Sequence, residues 1–418
     1  MAKAGKDITT TGKVSAKEFA ALPVDEKRAH LQTVTPKERM DLIIGDPEGK
    51  RLVRAMDPQE FFWLVKEIGE ADSMEMMQLA TAEQIIFILD MEVWDGWAFS
   101  QKKACEWVGH LVESGKPRVH EFLKKVDFEF LLLFLGRELA VGGGIGDLAD
   151  DEERFADYDQ SFDNVFFLTF KNPQHSRLIG TFVSMLLELD KELYTSVLEG
   201  IKGGIDVELE EDCQRFRAGR LQDLGFPPLE EAVSIYGRVN PESFELSGTK
   251  ELYPTEGRQV VPFSAPKDSL LLRALARTTS TAVMQELNYL VNNALVAEGQ
   301  AFQDSDRIND VLQRVYGYLN IALERLTSGD EARAAEVLVH EELKRLFQLG
   351  FSVVLNLKFA AETVQSSDYA SGKVLAGLKQ KRPRFYRGLD PDGIDGYREF
   401  RDVTDVQRVA DFLAMFHG

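Results

Sequence analysis

Residues 34–60 read VTPKERMDLIIGDPEGKRLVRAMDPQE, and the fold class follows from this stretch. Val34-Thr35-Pro36-Lys37-Glu38 sets out an N-cap hydroxyl, a proline at the first helical position, where its missing N–H is not needed, and a glutamate three residues after the cap. Met56-Asp57-Pro58-Gln59-Glu60 repeats the arrangement with an aspartate cap, so Glu38 and Glu60 are both expected to close capping boxes. Working outward, Leu22-Pro23-Val24-Asp25-Glu26 and Leu79-Ala80-Thr81-Ala82-Glu83 have the same order of apolar residue, turn residue and acid. Each marks a helix start. The starts lie close together, so only short helices fit between them, and a short helix buries its apolar stripe by stacking on its neighbours. The expected fold is all-α, a short-helix superhelical array over residues 16–140 followed by a C-terminal helical bundle.

Val126-Asp127-Phe128-Glu129 is the last faint copy of the pattern. Across residues 16–140 this run of proline, acid and Leu-rich helix resembles the short-helix superhelical repeats at the cytoplasmic N terminus of MgtE-type magnesium transporters and in the flagellar motor switch protein FliG. The resemblance implies an architecture and no site. Residues 1–15 are polar and read as a flexible tail. The break at 141–163 combines Gly142, Gly143, Gly144 and Gly146 with Asp147, Asp150, Asp151, Glu152, Glu153, Asp157, Asp159 and Asp163, which fits an acidic linker or loop. Central helices are expected over 164–236, where Leu178, Phe182, Met185, Leu186 and Leu189 recur at spacings of three and four. An extended connector at 237–266 follows, with Gln259 to Phe263 as one short strand or linker, and then a helical domain at 267–418. Its stripes are Leu287, Leu290, Val291 and Leu295, then Val311, Val315, Leu319, Ala322 and Leu326, then Leu343, Leu346 and Phe347, with Val406 to Phe416 as a closing helix.

The most distinctive segment, residues 207–236, reads VELEEDCQRFRAGRLQDLGFPPLEEAVSIY. Acids at its start and arginines further on complement a helix dipole, Glu211 and Arg215 form an i,i+4 pair, and Gly225 supplies a left-handed C-cap. A second helix from about Leu229 would carry Ala232, Ile235 and Tyr236 inward. The Arg-x-x-Arg-Leu core, the Gly-Phe-Pro-Pro turn and the Glu-Ala and Ile-Tyr that follow resemble a bacterial helical family of unknown function. That resemblance implies no activity. Glu208, Glu211, Arg215, Arg217, Arg220 and Tyr236 are the candidate binding residues: at a cleft they would form an ionic or anion-binding network, and on a surface a salt-bridged helix face.

Composition narrows the function classes. The 418 residues include 49 Lys+Arg and 69 Asp+Glu, a formal charge of -20 that disfavours nucleic acid as a partner. The two cysteines, Cys105 and Cys213, form no CxxC pair, and with no secretory signal or membrane-length apolar run a reducing cytoplasm is expected. The steps His120-Glu121 and His340-Glu341 are each followed by lysine where a zincin needs its second histidine, and neither a phosphate loop nor a GxSxG elbow occurs. No catalytic residue is assigned and no cofactor is expected. The alternative is Mg²⁺ or Ca²⁺ held by Asp150, Asp151, Asp157 and Asp159, against a solvated acidic loop. Asp390, Asp392 and Asp395 resemble a calcium loop, but Ile394, Asp395 and Arg401 occupy positions 5, 6 and 12, so an Asp-Pro-Asp-Gly turn is preferred. The basic run containing Lys379, Lys381, Arg382, Arg384 and Arg387 is expected to dock on an acidic surface of this protein or of a partner, rather than on RNA or lipid. Trp94, Trp97 and Trp107 are expected in the core. Three functions remain: a non-enzymatic cytoplasmic scaffold or adaptor with a protein partner, a cation- or small-ligand-responsive regulator, and an enzyme using Glu208, Glu211, Arg215 and Arg220 in a helical cleft.

Overall fold

The computed structural model describes residues 15–31, 33–70, 72–144, 158–204, 208–248, 250, 269–278, 280–299, 305–366 and 368–416. They form 21 α-helices and three two-stranded antiparallel sheets, an all-α protein in which the strands are small clips between helices. The chain divides into two compact units, Met1–Cys213 and Gln214–Gly418. No helix among the described residues is long and apolar enough to cross a membrane.

In the first unit the capping chemistry sets the helix starts. Thr35 accepts from the Glu38 N–H and Glu38 returns to the Thr35 backbone, opening helix Pro36–Gly45 with a full capping box. Thr81 does the same with Gln84 at the start of helix Ala82–Glu92. Asp57 caps helix Pro58–Ile68 through the Gln59 N–H, but Glu60 does not return to it. The Glu60 carboxylate instead pairs with the guanidinium of Arg39, which is almost fully buried, because an arginine in the interior requires a counter-charge more than an exposed cap requires a second hydrogen bond. Lys27, also buried, lies 2.8 Å from Asp46. The packing here is aromatic: Phe62 meets Phe87 edge-on at 5.7 Å, and Phe134 of helix Phe128–Glu138 meets Phe182 of helix Ser176–Leu189 at 6.1 Å. Within the central helices expected over 164–236, Asp190 ends one helix and caps the next, Lys191–Lys202, through the Leu193 N–H.

Two strand pairs orient the helices of this unit. Trp94–Asp95 pairs with Ala98–Phe99, a hairpin turning at Gly96 (φ +60°). Trp94 and Trp107 are buried as expected, but Trp97 is 83% exposed, because the two-residue turn carries its side chain out at the tip. Leu139–Gly143 pairs with Phe166–Phe170 in the register Leu139↔Phe170 to Gly143↔Phe166. Of the acidic segment expected at 141–163, residues 145–157 lie outside the described residues. Helix Leu209–Asp223 opens on acids as expected and ends at Gly225 (φ +82°), where the Phe226 N–H reaches the Leu221 carbonyl at 2.8 Å.

The second unit is a bundle around helices Ser305–Thr327 and Leu343–Glu362, which pack along each other. The expected stripes face inward: Leu287, Leu290, Val291 and Leu295 of helix Thr281–Ala297, then Val311, Val315, Leu319 and Ala322, then Leu343, Leu346 and Phe347 are all buried. Leu326, expected with them, is half-buried. Helix Tyr369–Leu378, the strand pair Phe385–Tyr386 with Tyr397–Arg398, and helix Val403–Ala414 complete the unit. Gln259 to Phe263, read as a strand or linker, lies outside the described residues.

Candidate functional site

The second unit concentrates its chemistry in a cavity of about 270 Å³. Arg307, Arg314, Lys381, Arg382 and Arg384 line it, against Glu298 and Asp310. Each arrives for a local reason. Glu298 is the C-cap residue of helix Thr281–Ala297, Asp310 and Arg314 are one turn apart on helix Ser305–Thr327, and the three bases from Lys381 onward lie in the segment between helix Tyr369–Leu378 and strand Phe385–Tyr386. Arg314 is buried at the base of the cavity. It donates to both carboxylate oxygens of Glu399, Nε to Oε2 at 3.0 Å and Nη2 to Oε1 at 2.9 Å, and pairs with Glu298 on its other side. Arg384 bridges Asp310 at 3.0 Å and Glu399 at 3.2 Å, and Arg382 reaches Glu298 at 3.3 Å.

Two forces compete in this network. Burial works against the Arg314 charge, but the Glu399 and Glu298 carboxylates outweigh it and raise its pKa further. Burial raises the pKa of Glu399 above the usual carboxylate range, with Arg314 and Arg384 pulling the other way. Tyr236 joins the network through Glu298 and Arg382. Its hydroxyl donates to Glu298 Oε1 at 2.6 Å, its ring packs edge-on against Phe347 and Phe351, and Arg382 stacks over its face at 5.0 Å. Burial first, and then the Glu298 carboxylate, push the phenol pKa up, so Tyr236 serves as a hydrogen-bond donor. The basic run expected to find an acidic surface therefore docks on the acids of its own unit.

Of the sequence candidates, only Tyr236 joins this cluster. Glu208, just before helix Leu209–Asp223, and Glu211 and Arg215 on it lie exposed, whereas Arg217 and Arg220 are half-buried. Arg217 donates to Gln214 at 3.2 Å. Glu210, on the same helix, accepts from the Phe99 N–H at 2.6 Å and pairs with Arg137. Asp150, Asp151 and Asp157 lie outside the described residues, and Asp159 accepts from the Phe170 N–H at 2.8 Å as a brace for the strand pair. Asp390, from the calcium-like turn, accepts from Arg398 at 2.7 and 2.9 Å and from Arg408 at 3.0 Å.

The first unit has a second cluster that sequence spacing does not suggest. Cys105, Glu138 and His175 place a thiol, a carboxylate and an imidazole nitrogen within 4.8 Å of one another. Cys105 sits in the second turn of helix Gln101–Glu113, Glu138 ends helix Phe128–Glu138, and His175 precedes helix Ser176–Leu189. Register brings the last two together: Leu139 opposes Phe170, so Glu138 lies beside Lys171, whose N–H donates to the Glu138 carbonyl at 2.8 Å, and the turn from Asn172 delivers His175. The isolated residues gave no signal, since 33 and 37 positions separate them in sequence.

These features define an all-helical protein of two compact units, each with a buried polar cluster. The chain belongs to a family of unknown function, DUF6178, whose model matches residues 16–417. No curated protein matches the chain, and no solved structure does.

Proposed function

We propose that this chain is a non-enzymatic helical scaffold whose second unit responds to a small anionic ligand, phosphorylated or carboxylated, at the Arg314 cavity. The observation that carries this reading is the set of five bases around one 270 Å³ space, with Glu298 and Asp310 as the only acids in its lining among the described residues. An arriving anion would compete with those carboxylates for Arg382 and Arg384, both on the segment that leads into strand Phe385–Tyr386. Occupancy is thereby coupled to the position of a chain segment, which is what a responsive protein needs.

The test is a thermal-shift and calorimetric titration with inorganic phosphate, pyrophosphate and citrate at fixed ionic strength. A ligand at a hundred times its Kd stabilises the folded state by about 2.7 kcal/mol, so a saturating rise in Tm is expected. Replacing the exposed rim bases, Arg307→Ala with Lys381→Ala, should abolish the rise while leaving the Arg314–Glu399 pair in place. Equal small shifts in wild type and variant would rule out the cavity as the site. The scaffold part of the reading is tested at Trp97, a large apolar side chain at a hairpin tip with 83% exposure. Trp97→Ala should leave Tm unchanged and reduce capture of a partner from native lysate. Undiminished capture would remove Trp97 from the interface.

A further inference from the structure

The cluster in the first unit brings three potential ligand atoms to one point. Cys105 Sγ lies 3.4 Å from His175 Nδ1 and 3.6 Å from Glu138 Oε1, and those two atoms are 2.9 Å apart. A tetrahedral cation with sulfur at about 2.3 Å and nitrogen or oxygen at about 2.0–2.2 Å separates its ligands by about 3.3–3.6 Å, so two of the three edges already match. The third is shortened by a hydrogen bond that a cation would replace. Cys105 is 5% exposed and Glu138 is 3% exposed. The second carboxylate oxygen, Glu138 Oε2, is buried with no hydrogen-bond partner among the described residues. A buried carboxylate with one idle oxygen is costly unless something positive neutralises it.

A catalytic relay is the competing reading, and the ring geometry argues against it. A nucleophile, base and orienting acid need the two imidazole nitrogens to face different partners. Among the described residues, one nitrogen, Nδ1, faces Cys105, Glu138 and the Asn172 amide at 3.0 Å. Three electron-rich atoms converging on one point, one of them a thiol, suit a metal better than a proton relay.

We propose that Cys105, Glu138 and His175 bind a divalent transition metal, Zn²⁺ by preference, with three protein ligands and a fourth position open on the half-exposed side of His175. The donor set excludes Mg²⁺ and Ca²⁺ as occupants, since thiolate and imidazole select softer ions. On binding, the Cys105 thiol gives its proton to solvent and its sulfur becomes the anionic ligand, so no oxidant or reductant is involved. Gln101, one turn before Cys105, lies 3.8 Å from Sγ while also donating to the Phe134 carbonyl at 3.1 Å, and it fixes the direction of the thiol.

The experiment uses the full chain, stripped with a chelator and titrated with Co²⁺ and then Zn²⁺ alone. The expected result is one Co²⁺ per chain with a near-ultraviolet thiolate-to-cobalt band and intense tetrahedral visible bands, both displaced by one equivalent of Zn²⁺. Cys213→Ser should keep the thiolate band and Cys105→Ser should lose it. His175→Ala, at a half-exposed position where the fold tolerates truncation, should weaken Zn²⁺ at least tenfold. Absence of a thiolate band in the wild type, a band that follows Cys213, or unchanged Zn²⁺ affinity in His175→Ala would each overturn the proposal. Phosphate titrations of the second unit do not bear on these outcomes, because the metal ligands all belong to the first.

Discussion

Asp390, half-buried between two arginines, shows what a shared ion pair implies for stability. Its two oxygens accept from Arg398 and Arg408, and Arg398 also donates to Asp405 at 2.7 Å while its guanidinium stacks over Phe385 at 3.9 Å. Hydrogen bonds from Arg398 hold the Asp390 pKa below its usual 3.8. A depressed carboxylate contributes stability that is complete above its unfolded-state pKa and is lost as pH falls through the folded one. Asp390→Asn should therefore destabilise by about 2 kcal/mol at neutral pH, and the difference from wild type should close only below about pH 4, as read by urea unfolding across a pH series. A difference that closes between pH 5 and 7 would show that another group dominates. At this scale the sequence was a poor guide. Asp390 was legible as a turn residue because Asp-Pro-Asp-Gly is local chemistry, whereas its two arginine partners, and the convergence of Cys105, Glu138 and His175, depend on register and helix crossing that no local spacing encodes.

Elements were more legible, since caps and stripes are written within a few residues of where they act. Thr35 with Glu38, and Gly225 after helix Leu209–Asp223, are read directly from the chain. Glu60 was misread because its alternative partner, Arg39, comes from an earlier helix. What the stripes do not convey is how closely two helices approach. At Gly350, on helix Leu343–Glu362, an added Cβ would fall 1.9 Å from the Tyr318 carbonyl oxygen of helix Ser305–Thr327. Neither backbone can move aside without separating the central pair of the bundle. Gly350→Ala gains about 1 kcal/mol of helix propensity and loses more than that to overpacking, so a net destabilisation of roughly 2 kcal/mol or more is expected. Gly372, in helix Tyr369–Leu378, has nothing within 4 Å of the same added atom. Gly372→Ala should instead stabilise by about 0.5–1 kcal/mol. Denaturant midpoints of the two variants should move in opposite directions, and movement in the same direction would refute the close-approach argument at Gly350.

At the scale of the whole molecule, the net charge of -20 and the all-α class were available from composition and pattern, but the division at Cys213/Gln214 falls inside helix Leu209–Asp223, where no composition shift marks it. Each unit closes its own apolar core, and cores of this kind unfold as separate steps when few contacts tie them. The chain carries its own probe for this. All four tryptophans, Trp63, Trp94, Trp97 and Trp107, belong to the first unit, and three of them are buried. Tryptophan fluorescence thus reports the first unit alone, whereas far-ultraviolet circular dichroism reports the helices of both. Gly350→Ala lies in the second unit, so it should shift part of the dichroism transition to lower denaturant and leave the fluorescence midpoint where it is in wild type. If both probes shift together by the same amount, the two cores melt as one cooperative body, and the cavity around Arg314 and the cluster at Cys105 are then coupled through global stability.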